Sequence, residues 1–235
     1  MTKANEEKTP PASEKNATVE IIIKLFWDSR KGVKDFAAAQ KVEQEIAGLA
    51  AQVAAAEPNT AAHADALEYH YYMLLWLAKL ATGKAERKQI RGRAYEAGAA
   101  SVSILLQQEK QTDLHAVFSA SNLAGNLIRE EKRYQDGLRW MRESSTLLVR
   151  MAGKKKLPKS ILHYKWYTQD YFIALAHYHL GDKKLAKQIV KRILRLAPPL
   201  DKASWADLKG IAKAAELFAK IQLDELKASR EAKEK

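Results

Sequence analysis

The side chains best suited to acid–base or metal chemistry are six histidines: His63, His70, His115, His163, His177 and His179. None pairs with another at i+4, and His177 and His179, two residues apart, point to different faces of a helix. Neither H-E-x-x-H nor E-x-x-H is present, so a helical zinc or di-iron site lacks its usual spacing. Gly83-Lys84-Ala85 ends like a phosphate loop but has no Ser or Thr to hold magnesium. The stretch from Gly153 to Lys159-Ser160 has the Lys-Ser without a second Gly. G-x-S-x-G and G-x-G-x-x-G are both missing. The carboxylate pairs Glu43/Glu45, Glu130/Glu131 and Asp224/Glu225 lie in charged helical contexts, where solvation is the plain reading. With no cysteine there is no disulfide, thiolate metal site, iron–sulfur cluster or cysteine nucleophile. The expectation is a non-enzymatic protein with no catalytic residue, no metal and no cofactor.

Charge carries more information. The formal net charge is +12, and +10 of it falls between Arg150 and Arg195, where twelve basic residues face only Asp170 and Asp182. Lys154, Lys155, Lys156 and Lys159 form one group. Lys183, Lys187, Lys191 and Arg195 recur at every fourth position, a spacing at which like charges on a helix repel by about 0.2–0.5 kcal/mol per pair. A merely solvated face intersperses Glu, as residues 206–235 do. These eight residues are therefore the expected basic face for an anionic partner. Tyr164, Trp166, Tyr167, Tyr171, Phe172 and Tyr178 crowd the same region. They suit base stacking, but at helical spacing they read as core.

The elements that must position these groups are helices. Ala, Leu, Lys, Glu, Gln and Arg dominate from Thr18 onward, and Gly (10) and Pro (6) are scarce among the 235 residues. The spacing predicts helices over 18–29, 33–56, 60–82, 86–109, 112–131, 134–151, 159–180, 183–197 and 204–231. Turn chemistry separates them at Pro58-Asn59, Thr82-Gly83, 153–158, Gly181-Asp182 and Pro198-Pro199. Only Val19–Trp27 has strand-like composition, and a single strand has no partner. Leu185, Ala186, Ile189, Val190, Ile193, Leu194 and Ala197 make one apolar face, and Ser204 to Asp207 reads as a capping box with Asp for Glu. Residues 1–16 read as a disordered tail, 17–231 as a single helical-repeat domain and 232–235 as a frayed end. Residues 1–16 have no apolar core for a secretory signal, and no apolar run approaches the ~20 residues that a membrane span needs. The expected compartment is the cytoplasm.

Residues 170–198, DYFIALAHYHLGDKKLAKQIVKRILRLAP, resemble a tetratricopeptide repeat. Ala174 and Ala186 stand where that motif has small residues, Gly181-Asp182 at its turn and Pro198 at its terminal proline. Residues 122–148 resemble it too, with Gly125 and Gly137 at the small positions and Arg133-Tyr134 at the turn. Gly137 and Ala186 are 49 residues apart, against a family period of ~34. The pair 60–82 and 86–109 matches in outline. The resemblance implies an all-α fold: a right-handed α-solenoid of antiparallel helix pairs closed by a C-terminal capping helix. It also implies a protein-binding adaptor or scaffold whose groove is lined by Asn122, Asn126, Arg129, Gln169 and Tyr178. The expected partner is a protein with an acidic surface or peptide. Two alternatives stay open: a nucleic-acid-binding protein using the cluster 150–195, and a structural subunit of a larger assembly.

Overall fold

A computed structural model describes residues 16–108, 114–154, 158–198 and 202–232. Every regular element among the described residues is helical. They fall into two compact units, one within Met1–Glu109 and one within Lys110–Lys235. The tail expected over 1–16 lies outside the described residues up to position 15, and 233–235 lie outside as well. No helix among the described residues is long and apolar enough to cross a membrane.

The first unit holds α1 (Ala17–Gly32), α2 (Phe36–Ala56), α3 (Ala61–Leu80) and α4 (Lys84–Gln107). Side chains satisfy the orphan N–H groups at three of the four starts: Asn16 accepts from Thr18, Asp35 from Ala38 and Thr60 from His63. Val19–Trp27, the stretch with strand-like composition, is helical. α2 packs on α1 and α3, α1 also touches α3, and α4 lies along α3. Ile22, Ile46, Met73, Leu74 and Leu77 are fully buried between them. A charged group joins three of these helices. Glu43 of α2, 2% exposed, accepts hydrogen bonds from His70 Nε2 of α3 at 2.8 Å and from Arg93 of α4 at 2.5 Å. Burial pushes the Glu43 carboxyl up. The His70 hydrogen bond and the Arg93 charge outweigh it and hold the group below the usual carboxylate range.

The second unit holds α5 (Leu114–Arg129), α6 (Tyr134–Lys154), α7 (Lys159–Tyr164), a π-helical turn (Lys165–Asp170), α8 (Tyr171–His179), α9 (Lys183–Arg195) and α10 (Trp205–Glu231). α6 lies along α5, α8 packs on both of them, α9 lies along α8, and α10 packs on α9 and α8. The small residues act as expected at two crossings. Ala174 and Ala186 are fully buried where α8 meets α9. A Cβ at Gly137 would stand 2.5 Å from Ile128 Cγ1 and 3.0 Å from the Ala124 carbonyl oxygen, so α5 and α6 touch backbone to backbone there. Gly210 of α10 does the same against Tyr167, which the resemblance did not flag.

α8 ends in a Schellman turn: Gly181 has φ +89°, its N–H donates to the Tyr178 carbonyl, and the Asp182 N–H donates to that of His177. In the preceding pair the left-handed residue is Lys132, φ 58°, one position ahead of the Arg133-Tyr134 turn that the resemblance placed there. Lys132 stands 49 residues before Gly181, the same spacing that separates Gly137 from Ala186. Ser204 and Asp207 form the expected capping box, and Asp207 Oδ1 also holds His163 Nδ1 at 2.7 Å, tying α10 to α7.

Candidate protein-binding surface

The π turn decides the fate of one expected groove residue. It widens the continuous helix 159–179 and turns Gln169 and Asp170 inward. Gln169 is completely buried, its Nε2 donating to Ser121 Oγ at 3.0 Å and Ser144 Oγ at 2.7 Å, while Ser144 donates to the Val117 carbonyl. It is a core strut between α5, α6 and the π turn and lines no open groove. Asp170, 3% exposed, is held by Lys165 at 3.1 Å and Arg192 at 3.0 Å. Tyr178 is turned away as well: half-buried, it donates its hydroxyl to Asp224 of α10 at 2.8 Å. The neighbouring aromatics pack as core, with Tyr167 and Phe172 buried and Tyr164 edge-on to Phe118.

The basic stripe of α9 meets α10. Lys183 pairs with Asp224 at 2.9 Å and Lys187 pairs with Glu225. Lys191 Nζ stands 6.0 Å from the centre of the Phe218 ring. Three of the four stripe cations are thus drawn to a neighbouring helix, and the self-repulsion read from their spacing is offset by carboxylates some forty residues away. Arg195 stays exposed, with no acidic partner among the described residues. Lys155 and Lys156 lie outside the described residues, as do the side chains of Lys154 and Lys159.

The remaining groove positions, Asn122, Asn126 and Arg129, gather on α5, and Arg129 lies near Lys213 of α10. Asn122, Asn126 and Arg129 share one helical face, with Asn122 and Arg129 exposed and Asn126 half-buried. The Arg129 guanidinium lies 5.5 Å from the Phe172 ring centre on α8. Next to Phe172, Tyr171 carries Lys213 of α10 over its ring at 5.9 Å. Among the described residues neither Arg129 nor Lys213 has a carboxylate within ion-pair distance. Burial, then the positive charges of Lys209 and Arg129, hold the Lys213 ammonium below the usual lysine range. Arg129, Lys209 and Lys213 therefore form a basic face across α5, α8 and α10, floored by Phe172 and Tyr171, with Glu216 of α10 the carboxylate that acts on Tyr171 there. Such a face has the positive charge and the aromatic floor that an anion with apolar flanks requires.

The sequence matches no family model, and no curated protein matches it.

Proposed function

We propose that the chain is a non-enzymatic tetratricopeptide-like binding module, an adaptor that holds an acidic peptide of a partner protein on the face shared by α5, α8 and α10. Two features support the helical-repeat reading. Within each unit, a helix packs on its neighbour and on the first helix of the next pair, as in a stack of helical hairpins. The small residues Gly137, Ala174 and Ala186 sit at the close crossings that such pairs need. The observation that carries the partner assignment is the meeting of Arg129 with Lys213, two cations from distant positions that repel each other over an aromatic floor. An incoming carboxylate relieves that repulsion. The alternatives with a basic face on α9 lose ground because Lys183 and Lys187 are already paired with acids of the same chain.

The test is binding of a fluorescent Glu/Asp-rich peptide at low and physiological salt, beside a Lys-rich control and a single-stranded oligonucleotide. The acidic peptide binds, and the pair Arg129→Gln with Lys213→Gln weakens it tenfold or more. Replacing Lys183, Lys187, Lys191 and Arg195 with Gln changes peptide affinity little but lowers the melting temperature, because two ion pairs to α10 are lost. Affinity falls as pH rises into the alkaline range, and earlier than for an ordinary lysine, because Lys213 loses its proton sooner. Absence of peptide binding at low salt sinks the proposal. So does oligonucleotide binding that the α9 variant removes and the Arg129/Lys213 variant spares.

A further inference from the structure

α10 is apolar on two opposite faces. One is the expected core face, with Ala214, Leu217 and Ile221 buried against α8, α9 and the π turn. The other points to solvent. Leu208, Ala212, Ala215, Ala219, Leu223 and Leu226 recur at three- and four-residue spacing along it, with Trp205 one step before them. Trp205 is 80% exposed, Leu226 60% and Leu223 51%; the three alanines are exposed and Leu208 is half-buried. No charged residue interrupts this seam before Arg230. A helix that only closes a solenoid carries a polar outer face, so α10 departs from the capping helix that the resemblance implies.

We propose that this seam is a self-association surface, on which α10 of a second copy of this chain packs antiparallel. Side-chain size argues for a second copy. The seam is large at both ends and small in the middle, so it reads the same in either direction. Set antiparallel, Trp205 meets Leu226 of the other copy, Leu208 meets Leu223, Ala212 meets Ala219, and Ala215 lies beside the two-fold axis. Alanines at the centre allow the close end of the 8–10 Å range of helix separations, and the bulky ends pack beyond them. The symmetry is closed, as in isologous dimers.

Charge agrees. The chain as a whole is strongly basic, but α10 carries five acidic and five basic residues, so the contact zone is neutral and two copies are not driven apart there. Glu216, beside the centre of the seam, also comes within reach of Lys220 of the second copy. Area sets the strength. The seam runs about 33 Å at 1.5 Å per residue, and with a helix width of about 10–12 Å it covers roughly 350 Å² per partner. Twice that is below the ~1,200 Å² at which stable interfaces begin, so the dimer is weak and concentration-dependent.

Sedimentation velocity on the full chain across a concentration series tests this, together with two single-thiol variants, which are clean because the native chain has no cysteine. The expected result is a monomer–dimer equilibrium in which Ala219→Glu weakens association at least tenfold with an unchanged circular dichroism spectrum. Ala215→Cys is joined to itself by a short bismaleimide. Arg230→Cys is not, because antiparallel packing puts the two copies of that position at opposite ends of the contact. A monomer at every concentration up to about 1 mM overturns the proposal. A dimer that Ala219→Glu leaves intact overturns it, and so does efficient self-linking of Arg230→Cys, which would mean parallel helices.

Discussion

Replacing His70 and Arg93 together with Leu should cost the first unit about 3–5 kcal/mol, the usual penalty for stripping the partners from a buried charge. Glu43 is 2% exposed and depends on those two side chains for its hydrogen bonds. Domains of this size have a total stability of only about 5–15 kcal/mol, so urea unfolding should show a sharply lowered midpoint. Adding Glu43→Leu in the same background should recover most of the loss, because an apolar trio no longer buries a charge.

The pH dependence separates the two variants. In the native chain the folded Glu43 carboxyl lies below its unfolded value of 4.5. Its contribution is therefore fully present above that unfolded value and is lost as pH falls through the folded one. In the His70/Arg93 variant, burial acts alone and raises the carboxyl, so the deficit against the native chain should shrink as pH falls. A double variant with native stability at neutral pH would show that Glu43 keeps contact with water and that the three-helix junction is not held by charge.

Two glycines on neighbouring helices should respond to alanine with opposite signs. Gly137→Ala should destabilise by about 1–3 kcal/mol, the range for overpacking a close contact. The new Cβ would fall 2.5 Å from Ile128 and 3.0 Å from the backbone oxygen of Ala124, and the backbone cannot move without spreading α5 from α6. Gly125→Ala should stabilise by about 0.5–1 kcal/mol, the gain of alanine over glycine inside a helix. There the nearest atoms are the Phe172 ring edge at 3.4–3.6 Å, an ordinary contact. Thermal melts of both variants check this. Equal shifts would mean that α5 and α6 do not cross at Gly137.

The same two glycines show how far a resemblance can be read. Both were matched to small positions of the repeat, but only one is held small by its neighbours, because a motif records residue type and not the distance to the next helix. The turn of that pair shows a similar limit. The left-handed residue is Lys132, and the family pattern, which favours glycine in such a turn, pointed one residue further on. Position 132 follows from the 49-residue spacing to Gly181, and that spacing could have located it.

What the chain determined locally, its order of residues shows directly. An α-helix bonds each N–H to a carbonyl four residues back, so helix extent, apolar face and end signals are written within short windows. The nine predicted segments coincide with helical stretches, with ends within a few residues, and the Ser204–Asp207 box and the Gly181 turn stand where the sequence puts them. Packing between helices decided the rest. Nothing within α9 says that Asp224 and Glu225 will lie against Lys183 and Lys187, so the stripe read as a free basic face. Nothing near Gln169 says that a π turn will swing it in against Ser121 and Ser144. The basic face formed by Arg129 and Lys213 joins residues 84 positions apart, too far for any helical periodicity to connect. Likewise Glu43, His70 and Arg93 are ordinary charged positions of three separate helices until the fold sets them together. Periodicity shows which face of a helix is apolar, but only long-range packing determines which neighbour covers that face, which charges are neutralised and which are left for a partner.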